Sequence, residues 1–280
     1  MTSPTMDPSQ VNAKDAMTLR QKTGLGIMDC KKALADAAGD MAKAEALLKE
    51  RLKGKMDTRT DRAAGEGRVE ACIDAGTAAI VSVRAETDFT ARNDDFVAMS
   101  KAVAKLATKG GAGDVKATPE INAKIDEIRI KTGENLSFGT GVTFSGGAFA
   151  AYVHHDSKKG ALVHFSAPVP ADVGKGISQH IVAHVPIPLA VDGADMPADK
   201  VAEAKAFAVK EAQESGKPAQ IAEKMAEGKM RKFLEENTLL NQNYVVDPTK
   251  KVKDLLPAGV KVLGFARMSL GETIVAVAKG

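Results

Sequence analysis

The sequence predicts an α+β fold, and three patterns carry that reading. A succession of strand, turn, strand and helix occurs twice in the middle of the chain, short amphipathic helices precede it, and a stretch rich in Ala, Glu, Lys and Met follows it. With 280 residues and 44% hydrophobic content, the chain is long enough to bury a core in each of two or three compact units.

The elements follow in order. Residues 1–12 contain Pro4 and Pro8 and little apolar content, so they read as a loose tail that orders only when something docks on it. Residues 13–54 read as three short helices: one ends at Gly24, one covers 27–38 and ends at Gly39, and one starts at Asp40, a good N-cap. Met17, Leu19, Ile27, Met28, Leu34, Ala37, Leu47 and Leu48 supply one small core for this module. The charged, glycine-containing segment around residues 55–66 is a linker, helical in part.

A core subdomain over 67–143 comes next. Alternation over 68–74 and 77–84 with Ala75-Gly76 between predicts a β-hairpin. A helix over 94–109 places Phe96, Met99, Val103 and Leu106 on one face before Gly110-Gly111 stops it. Pro119 opens a further helix carrying Ile121, Ile125 and Ile128, which Gly133 ends. The second half repeats the theme, with strands at 136–144, 148–154 and 161–167, a loop at 156–160 and a helix over 173–184; residues 144–197 form the first part of a second core subdomain. The two sheets are expected to carry helices on one face.

Residues 198–236 read as two antiparallel helices broken at Ser215-Gly216-Lys217-Pro218. Their thin apolar faces rely on Val201, Phe207, Ile221, Met225 and Phe233, so this hairpin projects and packs weakly. The last segment, 237–280, holds a short helix after Pro248 and an alternating strand over 260–268 that returns to an earlier sheet.

Composition narrows the function. A net charge of +3 and an aromatic content of 4% without Trp provide neither a basic stripe nor a stacking platform, so no direct nucleic-acid partner is expected. Cys30 and Cys72 form no metal-ligand spacing and read as reduced thiols. Residues 1–13 carry no Lys or Arg and no apolar run, and no stretch approaches the length of a membrane span; a cytoplasmic protein is expected by elimination. Gly259 to Gly264 has the glycine spacing of a phosphate loop, but Phe265 stands where the lysine must be. His180 and His184 are one helical turn apart without the glutamate of a zinc helix, so no metal is expected. One imidazole packs inside and the other faces a partner or solvent, which makes the pair a candidate partner contact. No nucleophile elbow or paired carboxylates emerge, so neither an enzyme nor a bound cofactor is expected.

Two segments stand out. TGLGIMDCKKAL at 23–34 is a glycine-hinged turn feeding Ile27 and Met28 into a basic-rimmed helix; it either packs as an ordinary helix-turn-helix or contacts a partner. ETDFTARN at 86–93 lies in the connection between a hairpin strand and a helix, and Phe89 either plugs the hairpin against that helix or protrudes as an interface anchor.

Both segments resemble signatures of the elongation factor Ts family, exchange factors for the GTPase elongation factor Tu. SGKPAQIAEKMAEGKMRKF at 215–233 and KTGEN at 131–135 also resemble segments of that family. The resemblance implies a ubiquitin-associated-like N-terminal module, a two-subdomain core, a late helical hairpin and a C-terminal module. It implies elongation factor Tu as partner, with Asp88 and Phe89, flanked by Thr87 and Thr90, reaching its magnesium and phosphate region. Gly24, Met28 and Asp29 are implied contacts to the same GTPase domain. The hairpin is free to pair with a second copy, as in a homodimer or 2:2 complex, or to lie on the GTPase. Two positions depart from the family pattern: Thr90 replaces the usual Val, which predicts looser packing, and Arg84 replaces a common Asn, which predicts altered hydrogen bonding.

Overall fold

Helix caps fix the N-terminal elements. The computed structural model describes residues 6–57, 63–216 and 218–278. Helices α1 (Ala13–Thr23), α2 (Ile27–Asp36) and α3 (Met41–Asp57) form there. Asn12 accepts the Lys14 N–H at 2.9 Å, and Asp40 accepts the N–H groups of Ala42 and Lys43 at 3.0 Å, so side chains satisfy donors that the first helical turn leaves free. Leu19, Cys30, Ala33, Leu34, Ala44 and Leu48 are buried together. Met17 and Met28, expected in this core, are instead 57% and 71% exposed. Small alanines fill the space that the sequence pattern assigned to the methionines.

The expected loose tail also needs correction over residues 6–11. Met6 donates its N–H to Ala35 O at 2.8 Å and packs on the module core, Val11 is buried, and Pro8–Gln10 forms a 3-10 turn capped by Asp7. Two apolar side chains on either side of the proline turn suffice to hold it down. Residues 1–5 of that tail, 58–62 of the linker and Lys217 of the hairpin turn lie outside the described residues.

The middle of the chain builds β1 (Glu66–Asp74), β2 (Thr77–Ala85), α4 (Asp88–Arg92), α5 (Asp94–Ala107), β3 (Gly113–Asp114), α6 (Pro119–Thr132) and β4 (Ser137–Ser145). Ala75 and Gly76 both take positive φ, 46° and 81°, the geometry a two-residue hairpin turn demands. The first sheet runs β1-β2-β4-β3. The strand that the sequence pattern placed with the second half therefore belongs to the first sheet, where β2 supplies its ladder.

Then follow β5 (Ala148–Val153), β6 (Lys159–Phe165), α7 (Ala171–Ala183), α8 (Ala198–Glu214), α9 (Ala219–Asn237), β7 (Val262–Ser269) and β8 (Val275–Ala278). They complete a second sheet, β5-β6-β7-β8, with antiparallel pairing throughout. The predicted return of the C-terminal strand is its pairing with β6, Val163 opposite Phe265. A four-residue 3-10 turn, Val252–Leu255, stands where the short helix after Pro248 was expected.

Two compact units make up the chain: Met1–Gly67, Val83–Met99 and Ala117–Phe138 form one, and Arg68–Ser82, Ser100–Lys116 and Gly139–Gly280 the other. Within the second unit the β5–β8 sheet is covered on both faces. Ala161, Val163, Phe165 and Phe265 pack against Ile177 and Ile181 of α7, while Leu162, Ala266 and Met268 pack against Val69, Ile80, Val142 and Phe144 of the first sheet. Helix α7 covers one face, and the first sheet, not foreseen in the sequence pattern, covers the other. This double cover explains why β7 is buried almost continuously instead of alternating.

The α8–α9 hairpin is antiparallel, with Val209 and Ala212 of α8 lining one groove together with Ala219, Ala222 and Met230 of α9. Its seam differs from the expected one. Ala208 and Ala212 are the buried side chains of α8, and Phe207 and Ile221 are exposed. At its base the two ends are tied by Leu189 N–H to Asn237 O and Leu239 N–H to Ala190 O, at 2.8 and 2.9 Å.

Phe265 is fully buried in the core beneath α7. Truncation to alanine should cost about 3–5 kcal/mol, measured as a lowered urea midpoint of the circular dichroism signal.

Candidate functional site

A five-residue helix is too short to hold itself, so the segment after β2 takes its shape from side chains. Residues 88–92, expected as part of a loop, form the single turn α4. Thr87 is its N-cap and accepts the Thr90 N–H at 3.3 Å. Glu134, just past α6, closes the turn from outside. Its Oε1 accepts the hydroxyls of Thr87 and Thr90 at 2.7 and 2.8 Å, and its Oε2 accepts the Thr87 N–H at 3.2 Å.

Glu134 reaches this position because Gly133 ends α6 in the left-handed conformation, φ 72°, which turns the chain back toward the end of β2. Asn135 then donates its N–H to Glu86 Oε1 at 2.6 Å. Two segments that the sequence singled out separately, 86–93 and 131–135, thus meet side to side. Sequence reasoning assigned Glu134 no role. The signal for it was an acidic residue following a helix-ending glycine, which points to a partner with free donors but not to which one.

The frame buries Thr90 and Ala91 and leaves Phe89 83% exposed. Phe89 is therefore no plug between hairpin and helix. Thr90, expected to loosen packing, is buried and hydrogen-bonded, because its hydroxyl finds the carboxylate beside it. The turn is held through Glu86, Thr87, Thr90, Glu134 and Asn135, so the change at Arg84 leaves this set intact. Asp88 pairs with Arg92 at 3.1 Å, a solvent-exposed contact that contributes little to stability.

In the same unit, Gly24 ends α1 with φ 72°, and Met28 and Asp29 lie exposed in the first turn of α2. Met28 is thus an apolar side chain in water.

His180 and His184 belong to the other unit, and their rings lie 4.6 Å apart. Val245 donates its N–H to His180 Nδ1 at 3.2 Å, which places the ring proton on Nε2, where it is donated to Gln242 Oε1 at 2.9 Å. Gln242 passes the network on through its Nε2 to Pro186 O and Glu236 O, at 2.9 and 2.7 Å. Completely buried and with both nitrogens bonded, His180 is not available as a partner contact, which corrects that expectation. His184 is half-buried, and its Nδ1 donates to Pro186 O at 3.0 Å. Among the described residues no cluster of three or more His, Cys, Asp or Glu side chains could hold a metal ion, and no helix is long and apolar enough to cross a membrane. Phe265, at the position of the missing phosphate-loop lysine, is a core residue in a strand.

A family model described as Elongation factor TS matches residues 86–272. Among curated proteins, the elongation factor Ts of Paraburkholderia phymatum is 38% identical over 273 residues, spanning 94% of this chain and 92% of that protein. That of Psychrobacter arcticus is 38% identical over 278 residues, spanning 96% and 93%. That of Paraburkholderia phytofirmans is 39% identical over 273 residues, spanning 94% and 92%.

Burial pushes the His180 imidazole down to about 4; the Gln242 hydrogen bond opposes that shift, and neighbouring His184 adds to it. The unfolded imidazole titrates near 6.5. Between these values the unfolded chain binds the extra proton, so stability is fully present above about pH 6.5 and is lost as pH falls toward about 4. The loss is on the order of 2–3 kcal/mol. Urea unfolding from pH 7.5 to 4.5 should show this slope in the native chain and a shallower one in His180→Asn, whatever the variant's absolute stability.

Proposed function

The chain belongs to the elongation factor Ts family, a family of translation elongation factors, and from that premise we propose that it binds elongation factor Tu and promotes release of its GDP. The exchange element is the turn Thr87–Thr90, which inserts Asp88 and Phe89 near the magnesium and phosphate region of the GTPase. The single observation supporting this assignment is Phe89 itself, a large apolar side chain held in water on a turn whose remaining residues are tied down. Burial of such an aromatic anchor in a partner supplies binding energy that its free state lacks. Asp88 brings negative charge to a region that holds phosphates and a cation.

In this reading the chain performs no covalent chemistry. An exchange factor acts by binding the nucleotide-free GTPase more tightly than the GDP-bound form, and GDP weakens its grip by the same factor. Accelerating GDP release ten-thousandfold removes roughly 5 kcal/mol from the dissociation barrier. An aromatic anchor accounts for about 2–4 kcal/mol of that. The N-terminal helices, as a ubiquitin-associated-like module, contribute holding contacts through Gly24, Met28 and Asp29. His184 and the second unit add others, and the α8–α9 hairpin, with exposed Phe207 and Ile221, lies on the GTPase or on a second copy in a 2:2 complex. The site of action is the cytoplasm.

Stopped-flow release of fluorescent GDP from elongation factor Tu tests the reading. The intact protein should accelerate release strongly, and saturating Phe89→Ala should be slower by about thirty- to thousandfold. Binding without acceleration by the intact protein would make the chain an adaptor and not an exchange factor.

A further inference from the structure

We propose that Glu134 is the positioning residue of the exchange turn: its carboxylate clamps the residues on either side of Asp88-Phe89 and presets the direction in which Phe89 projects. This rests on the exchange reading above and assigns a role to a residue outside the Asp-Phe turn.

A carboxylate is an acceptor only, and Glu134 uses both oxygens on three donors from one short stretch. Two donors belong to Thr87, immediately before Asp88-Phe89, and the third to Thr90, immediately after. The Thr90 N–H to Thr87 Oγ1 bond closes the turn across the same two residues. Asp88, half-buried, and Phe89, exposed, are thus bracketed by anchored neighbours. Glu134 is in turn held in place, by the left-handed Gly133 before it and by the Asn135 N–H bond to Glu86 after it. Hydrogen bonds to a charged acceptor are the stronger kind, so one side chain can order a turn too short to order itself. Thr90 contributes a bond here that a side chain of the same shape without a hydroxyl cannot make.

The test measures GDP release from elongation factor Tu against factor concentration, separating the rate at saturation from the concentration giving half-maximal rate. Glu134→Ala should lower the saturating rate by about ten- to hundredfold and move the half-maximal concentration much less. Glu134→Gln, which keeps an oxygen for the two hydroxyls, should recover most of the loss, and Thr90→Val should show a smaller loss at unchanged fold. In a Phe89→Ala background, Glu134→Ala should add little, because it acts through Phe89. Equal losses in both backgrounds, or a native rate in both Glu134→Ala and Thr90→Val, would overturn the role of Glu134 while leaving the exchange reading intact. Failure of the unaltered protein to accelerate release would instead remove the exchange reading. Thr90→Val keeps the question decidable should Glu134→Ala fail to fold.

Discussion

Burial of β6 and β7 on both faces is the constraint around which the second unit is arranged. A strand covered on one side tolerates polar residues on the other, whereas Leu162, Val163, Phe265 and Ala266 alternate between two apolar layers. The C-terminal segment must therefore travel back across the unit to supply β7, and the residues between α9 and β7 have to be pinned along the way. His180 and Gln242 do much of that pinning, joining α7 to the returning chain through bonds that leave no nitrogen of the imidazole free. A buried polar network is tolerated in such a place only when every member is satisfied, and this one is.

Around the Thr87–Thr90 turn the same logic operates with the opposite outcome. The polar groups are satisfied and the apolar one is not. Thr87, Thr90 and Glu134 hydrogen-bond one another, Ala91 packs inside, and Phe89 is the apolar side chain of the turn left in water. Scattered exposed apolar residues are ordinary on protein surfaces. Phe89 differs from them because the backbone beneath it is held on both sides, so its exposure is a fixed property of the turn and not a consequence of slack.

Much of this was legible in the residues. The cap at Asp40, the helix-opening Pro119, the Ala75-Gly76 turn and the helix-ending Gly133 act through local chemistry, and each marks its element close to where the structure has it. What the sequence concealed depends on contacts between distant residues. Periodicity could not show that β7 is covered twice, because alternation was assumed and the second layer comes from strands roughly 120 to 200 residues earlier. Nor could it show that α8 closes on alanines instead of Phe207, since hydrophobicity favours the larger side chain while close helix approach favours the smaller. Met17 and Met28 were misplaced for the same reason. In the site, Thr90 was read as a defect because only its shape was weighed; the acceptor that uses its hydroxyl lies forty-four positions away.

A preset turn matters for exchange in a particular way. Ordering a residue costs roughly 1–2 kcal/mol, and a turn already ordered in the free protein spares that cost on docking. Had the turn engaged the GTPase equally with and without GDP, the saving would strengthen both complexes alike and leave nucleotide release untouched. In the proposed mechanism the turn engages where the nucleotide is leaving, so the saving falls on the nucleotide-free state alone and enters the coupling directly. On the same proposal, contacts such as Met28, available in either state, set how tightly the factor holds. The rigidity supplied by Thr87, Thr90 and Glu134 would set how much that hold changes when GDP departs. Affinity and exchange are then properties of different residues of one unit, and each can be altered without the other.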